Sequence, residues 1–519
     1  MKRYPMRKSS VPPSKRKPCL PMAARTLPTK LFGWDTAVSL PIIAGMRITW
    51  QVCVLFAVGI SLLFRKPSSH KRIELLGSIL PHRKIDIMQN TNTLNHPNFP
   101  GAHNIGRFQL PNGITVLAYS NMYSKSLTIT GMLSSGGAWD PPDKTGTAHF
   151  TASMLLRGNA NNNFQEIHEK LESVGASLTF SAGTKNTWFN GRSLVKDFPM
   201  LLALIFDSLT APTFPEAYIN RLRNQFLTGL IIRDQDTQEK ASLEYDRALF
   251  GHHPYGIPVD GYPETIKNIQ LEDLIRHHKT YSPQDALIAI AGALPLEQIE
   301  ELVTSQFEAW DTVSPTSEPV FPEIHAPTQS IRIHVPIEGK SQSEIQLGTL
   351  GPARTSPDYY PAYLGNHVLG QFGLYGRIGK SVRNKEGLAY YAYSSLNALP
   401  ETGSWEFNAG VNPQNVEKTI VLIVDEIKNY LERPVTKEEL SDSQTHLIGR
   451  LPMSLESNAG IASALLSIER FDLGLDYFQS YADRILKITP EEILSVSNAY
   501  LDPEKLVIIS AGANADHDH

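Results

Sequence analysis

From residue 106 onward, short stretches with every second position apolar alternate with longer stretches that are apolar every third or fourth residue. Phe108-Gln109-Leu110 and Ile114-Thr115-Val116-Leu117-Ala118-Tyr119 flank Pro111-Asn112-Gly113. Asn-Gly supplies the positive φ that a tight hairpin needs, so the segment reads as strand, turn, strand. Ser126–Leu133 is a further strand. Helical periodicity follows at 145–157, at Phe164–Val174 with Gly175 as a C-cap, at Phe198–Leu209 and at Glu216–Arg233, while Ala176–Ser193 alternates like paired strands. After a Pro-rich stretch over 312–328 the order repeats. Strands are expected at Ser343–Leu350, Leu388–Ser395 and Trp405–Val411, and helices at Pro361–Val368, Val416–Leu431 and Lys437–Arg450. The expected fold class is α+β, with two similar halves at 106–312 and 329–513.

The 519 residues exceed one ordinary core. Residues 1–45 are rich in Pro, Lys and Arg and read as a disordered basic tail, and residues 65–105 as a polar linker. Between them, Met46–Phe64 is uncharged from Arg47 to Arg65, about long enough for a bilayer, which takes roughly 17–25 residues. No small-residue cleavage site follows, so an uncleaved anchor is expected. Ten Lys/Arg through Arg47 favour a cytoplasmic tail and an exported body, whereas Arg65, Lys66, Lys71 and Arg72 pull the other way. Translation from Met46 would make the segment an ordinary export signal. The expectation is a membrane-anchored chain with an exported body, periplasmic in a bacterium.

Charge is divided unequally. Residues 1–72 hold fourteen Lys/Arg and one acid, Asp35, which leaves a net −17 on the remainder of a chain whose total is −4. An acidic body excludes nucleic acid as a partner and is compatible with basic peptides. Both cysteines, Cys19 and Cys53, precede the body, which therefore has neither disulfides nor thiol chemistry.

The segment Gly136-Gly137-Ala138-Trp139-Asp140-Pro141-Pro142-Asp143-Lys144-Thr145-Gly146-Thr147-Ala148-His149-Phe150 resembles the one that opens the active site in pitrilysin/insulinase-type metallopeptidases. That family carries the inverted zinc motif H-x-x-E-H. His at i and i+4 share one helix face and grip one metal, and Glu at i+3 activates water. Here His149 keeps the first position, Ala152 stands for the base and Ser153 for the second histidine. A methyl group accepts no proton, and a neutral hydroxyl is not a usual zinc ligand. The resemblance places a third ligand, a glutamate, on the helix that aligns with Tyr218–Arg233. No carboxylate lies between Glu216 and Asp234, and the place reads Leu227-Thr228-Gly229-Leu230. No metal is expected in this chain. His252-His253 resembles a family loop, and the terminal Asp516-His517-Asp518-His519 reads as a frayed end.

A second motif is complete. Gly376-Arg377-Ile378-Gly379-Lys380-Ser381-Val382-Arg383-Asn384-Lys385-Glu386-Gly387-Leu388-Ala389-Tyr390 is similar to the family's substrate-contact motif. The resemblance implies that Arg383 holds substrate carbonyls and that Tyr390 steadies the developing oxyanion. The Gly-rich run Gly370–Gly376 lacks the Lys-Ser/Thr ending of a phosphate loop. By resemblance, the fold is two halves of the pitrilysin/mitochondrial-processing-peptidase type. The first functional reading is the non-catalytic, peptide-binding subunit of a heterodimeric zinc peptidase, whose homologous partner supplies zinc and base. The others are a scaffold with no role in proteolysis, and an active zinc endopeptidase with an unconventional site.

Overall fold

The computed structural model describes residues 99–311, 319–371 and 376–514. The basic tail 1–45, the hydrophobic segment 46–64 and the linker up to residue 98 lie outside them. The expected membrane-anchored, exported body is corrected: no helix among the described residues is long and apolar enough to cross a membrane. The two helices of eighteen residues, Glu216–Arg233 and Lys437–Ser454, carry charges along their length. At the end of the expected linker, Phe99, Pro100, Gly101 and Ile105 are buried, while Ala102 and His103 are exposed. Phe99 and Ile105 are buried in the largest core cluster, because Phe99 has an apolar surface to settle on.

The first half contributes strands β1 (Ile105–Gln109), β2 (Thr115–Ser120), β3 (Ser126–Leu133), β4 (Ser177–Ala182), β5 (Thr187–Leu194) and β6 (Leu287–Gly292). Its helices are α1 (Thr147–Met154), α2 (Phe164–Glu172), α3 (Phe198–Thr210), α4 (Glu216–Arg233), α5 (Thr237–Phe250), α6 (Pro263–Asn268), α7 (Leu271–His278) and α8 (Leu296–Phe307). The second half supplies β7 (Ile331–Pro336), β8 (Ser343–Gly351), β9 (Ala389–Ala398), β10 (Gly403–Val411) and β11 (Val507–Gly512). Its helices are α9 (Tyr359–Asn366), α10 (Val416–Glu432), α11 (Lys437–Ser454), α12 (Asn458–Arg470), α13 (Tyr477–Leu486) and α14 (Pro490–Tyr500).

The two sheets repeat one topology. The orders are β1-β2-β6-β3-β5-β4 and β7-β11-β8-β10-β9, so β1 is the single addition. β6 lies parallel to β2 as β11 lies parallel to β7, and the next pair, β6 with β3 and β11 with β8, is antiparallel in both. Even the strand ends correspond: β6 and β11 both finish in Ala-Gly, with φ +152 at Gly292 and at Gly512. A Cβ there would run into Ser126–Leu127 in one sheet and Ser343 in the other.

Each sheet is covered on one face by helices of its own half. On the first, Leu127, Ile129 and Ile290 pack with Phe198, Ile205, Ile299 and Phe307 of α3 and α8. On the second, Ile345, Leu347, Trp405 and Phe407 pack with residues of α9, α10 and α14. The other faces are covered by exchange. α5 of the first half lies on β8 and β11, and α12 of the second lies on β2, β3 and β6. The exchange ties the halves into one body, and it places the ends of α5 and α12 at the seam.

Candidate functional site

Helix α1 is set by its N-terminus. Asp140 accepts hydrogen bonds from the backbone N–H of Gly146 and of Ala148, both at 2.9 Å, and Gly146 takes φ +101. His277 Nδ1 lies 3.4 Å from Asp140 Oδ1, with both side chains buried. Burial raises Asp140 against the pull of its backbone donors, and burial lowers His277. On α1, His149 is half-buried and its ring packs on Phe226 of α4, with centroids 4.8 Å apart. Burial lowers the His149 pKa, and Asp260 opposes that shift.

Beside His149 a cavity of about 590 Å³ is lined by Thr228, Gly229 and Leu230 of α4 and by Asp260. The stretch where the resemblance calls for a third ligand thus faces His149. A Cβ at Gly229 would meet nothing within 4 Å, so there is open space beside this stretch of α4. Asp260 is engaged by Arg233 Nη1 at 2.7 Å. Ala152 is buried, 2% exposed, so the place of the base is shut from solvent, and Ser153 is half-buried. One imidazole beside an engaged carboxylate does not fit zinc, which needs at least three protein ligands at a catalytic site. No group of three or more His, Cys, Asp or Glu placed to hold a metal ion occurs among the described residues, and His253 is buried, its Nδ1 accepting from the backbone N–H of Tyr255 at 3.2 Å.

The second motif is built from a π-helical turn, Gly379–Lys385, and the start of β9. The chain reverses at Gly387 with φ +65, and Leu388 N–H donates to the Val382 carbonyl at 3.1 Å. Strand alternation then buries Ala389 and turns Tyr390 outward, 77% exposed. The Arg383 guanidinium lies 5.6 Å from the centre of the Tyr390 ring. Exposure on this scale argues against a packing role for either. β9 and β4 are terminal strands of their sheets, and α1 lies beside β4.

Two family models match the chain. The description "Insulinase (Peptidase family M16)" covers residues 115–259, and "Peptidase M16 inactive domain" covers residues 268–447. The chain belongs to the insulinase family of M16 peptidases. Among M16 relatives, an uncharacterized zinc protease of Streptomyces coelicolor is 24% identical over 77% of this chain and 89% of its own. The mitochondrial-processing peptidase subunit beta of Saccharomyces cerevisiae is 23% identical over 78% and 90%. Among solved structures, a peptidase M16 inactive domain from Pseudomonas fluorescens has 28% identity and a TM-score of 0.74, covering 79% of this chain and 98% of that one. The α+β fold with two M16 halves is therefore established, and the second half matches the inactive type.

The sequence reading missed a polar seam between the halves, where Asp246 of α5 meets Glu406 of β10. A signal was present: Glu406 and Asn408 alternate with Trp405, Phe407 and Ala409, so this strand has one wholly polar face.

Proposed function

We propose that this chain is the non-catalytic, peptide-binding subunit of a heterodimeric zinc peptidase, presenting Arg383 and Tyr390 to a homologous partner that supplies zinc and the general base. The carrying observation is the contrast between two motifs on one scaffold. Around His149 the donors are gone and the base position is closed, while Arg383 and Tyr390 stand together in solvent with no packing duty. Their chemistry suits a peptide: a guanidinium donates to carbonyl oxygens, and a phenol donates to an oxygen that gains charge in a tetrahedral intermediate. An extended peptide has a terminal strand to pair with at β4, next to α1. The yeast relative is itself named as a subunit, which supports a shared enzyme.

The test is reconstitution with an M16 homologue that carries an intact H-x-x-E-H. Tyr390→Phe and Arg383→Ala should each lower peptide cleavage by the pair by roughly tens-fold or more, given that losing one oxyanion donor costs about a hundred- to a thousandfold. Co-purification should be unchanged, because Tyr390 is mostly exposed. Full activity with both replaced would leave the scaffold reading in its place. Chelator-sensitive cleavage by the isolated chain, lost in His149→Ala, would favour an unconventional active site.

A further inference from the structure

At the seam between the halves lies a cavity of about 380 Å³, within the roughly 300–1,000 Å³ of small-molecule sites. Its walls come from five separate places: the β4–β5 hairpin, α5, the turn Pro254–Gly256 that follows it, the β9–β10 hairpin and the last residue of α12. One end is acidic. Glu406, 8% exposed, accepts from Gln346 Nε2 at 3.1 Å, Asn397 Nδ2 at 2.8 Å and Ser404 Oγ. Beside it, the Asp246 carboxylate has neither a cation nor a hydrogen-bond donor among the described residues. Burial first, and Glu406 second, push Asp246 up to about 8.

The other end is basic. The Arg470 guanidinium lies 5.0 Å from the Trp188 ring centre and 4.9 Å from that of Phe471, without a carboxylate at ion-pair distance among the described residues. The nearby acid, Glu401, is already taken by Lys185 Nζ at 2.6 Å and by the Tyr255 hydroxyl at 2.5 Å. The two ends do not neutralise one another: Asp246 feels Glu406, whereas Arg470 feels Tyr255 and Glu401.

We propose that this cavity binds a small zwitterion, a free amino acid or a dipeptide, taking its ammonium between Asp246 and Glu406 and its carboxylate on Arg470. A bare cation would answer the acidic end and leave Arg470 unpaired; an anion would do the reverse and face two carboxylates. A zwitterion answers both, and buried charges are stable only when paired. Aromatic walls from Trp188, Phe250 and Tyr255 suit an apolar side chain between the charged ends. The inference is independent of the role given to Arg383 and Tyr390, because it concerns binding by the chain alone.

Titration calorimetry on the full chain tests it with glycyl-leucine, free leucine, N-acetyl-glycyl-leucine and glycyl-leucinamide. One of the two zwitterions should bind with a Kd between about 1 µM and 1 mM, and which one binds tells a dipeptide site from an amino-acid site. Removing either charge from the bound ligand should weaken binding by at least about tenfold, the equivalent of one ion pair of roughly 1.4 kcal/mol. In Asp246→Asn, blocking the ammonium should cost less than it does in the wild type; in Arg470→Gln, blocking the carboxylate should cost less. Glu406→Gln gives a second reading of the acidic end should Asp246→Asn fail to fold. Absence of binding by both zwitterions at about 10 mM, well above any functional Kd, overturns the proposal. So does equal binding of the blocked forms, or variants that leave the ligand preference unchanged.

Discussion

The exchanged helices α5 and α12 occupy equivalent places on equivalent sheets, yet their junctions differ in kind. Under α12 the contact is mostly apolar: Ile461, Leu465, Leu466 and Ile468 join Leu117, Met132, Ala289 and Ala291 in one continuous core, with Thr128 and Thr130 the buried polar residues on the Met132 face of β3. Under α5 only one flank is apolar, where Ala241, Tyr245 and Leu249 meet Val507, Ile509 and Ala511. On the other flank the strands turn polar residues toward the helix. Gly348 lies against the Tyr245 hydroxyl, which puts Glu344 and Gln346 on the same face of β8, while Ile345 and Leu347 point into the opposite core. A duplicated scaffold has thus sealed one junction and left the other able to hold charge. Function in a fold resides in such local sites rather than in the architecture, and here the asymmetry locates one.

The largest expected effect tests the sealed junction. Leu465 is fully buried at the centre of α12's apolar face. Leu465→Ala should cost about 2–5 kcal/mol in urea denaturation, from lost transfer energy plus a cavity. Leu249→Ala on α5, 4% exposed in the smaller cluster, should fall at or below the bottom of that range. Equal losses would mean that the two junctions share one mechanical role and differ only in surface chemistry.

What the sequence disclosed and what it concealed divide along the same line. The β1–β2 hairpin was legible because Asn112-Gly113 is a local instruction, and Gly113 takes φ +99. Helix α4 and strand β3 fall at their expected ends. His149, Ala152 and Ser153 lie on one helix, as the spacing of the motif they resemble requires. The central strands β6 and β11 were not identified: each is an apolar run whose neighbours lie far away in the chain, Leu287 beside Thr115 and Val507 beside Ile331. The exchange of α5 and α12 left no local trace either, since an amphipathic helix does not say which sheet it covers. Asp246 and Glu406 come from different halves, so their meeting is a property of the seam alone. The expected linker through residue 105 fell short for a similar reason, because what buries Phe99 lies mostly in the second half.

The next effect sharpens the polar junction through pH. Asp246 has an ordinary carboxylate range in the unfolded chain and is raised to about 8 in the folded one, by burial first and Glu406 second. The folded state therefore holds this proton more tightly, and stability from this group is lost as pH rises from about 4 through about 8. Asp140, raised to about 8, and Glu344, raised to about 7, act in the same direction, so the wild-type profile alone does not single out Asp246. The difference between wild type and Asp246→Asn does. The two melting temperatures should lie close together near pH 5 and separate by pH 8, with the variant the more stable. Parallel profiles would show that Asp246 has a cation or ample water in the ligand-free protein, and the acidic end of the seam would then be no different from a solvated surface.

The smallest effect concerns one oxygen. Tyr245 is fully buried between the apolar and polar flanks of α5, and its hydroxyl has no hydrogen-bond partner among the described residues. Its ring belongs to the core cluster with Val507 and Ile509, so Tyr245→Phe keeps the packing and deletes only the polar atom. A buried hydroxyl without a partner carries a desolvation penalty of about 1–3 kcal/mol. Removing it should leave stability unchanged or raise it by up to about that amount, whereas loss of a satisfied hydroxyl would lower stability by about 0.5–1.5 kcal/mol. The sign of this change in urea denaturation decides where the polar flank ends. A gain places the Tyr245 hydroxyl on the apolar side of the boundary. A loss of about 1 kcal/mol would place a bound water beside it, extend the wet region from Glu406 to the middle of α5, and make the contrast with the dry junction under α12 larger still.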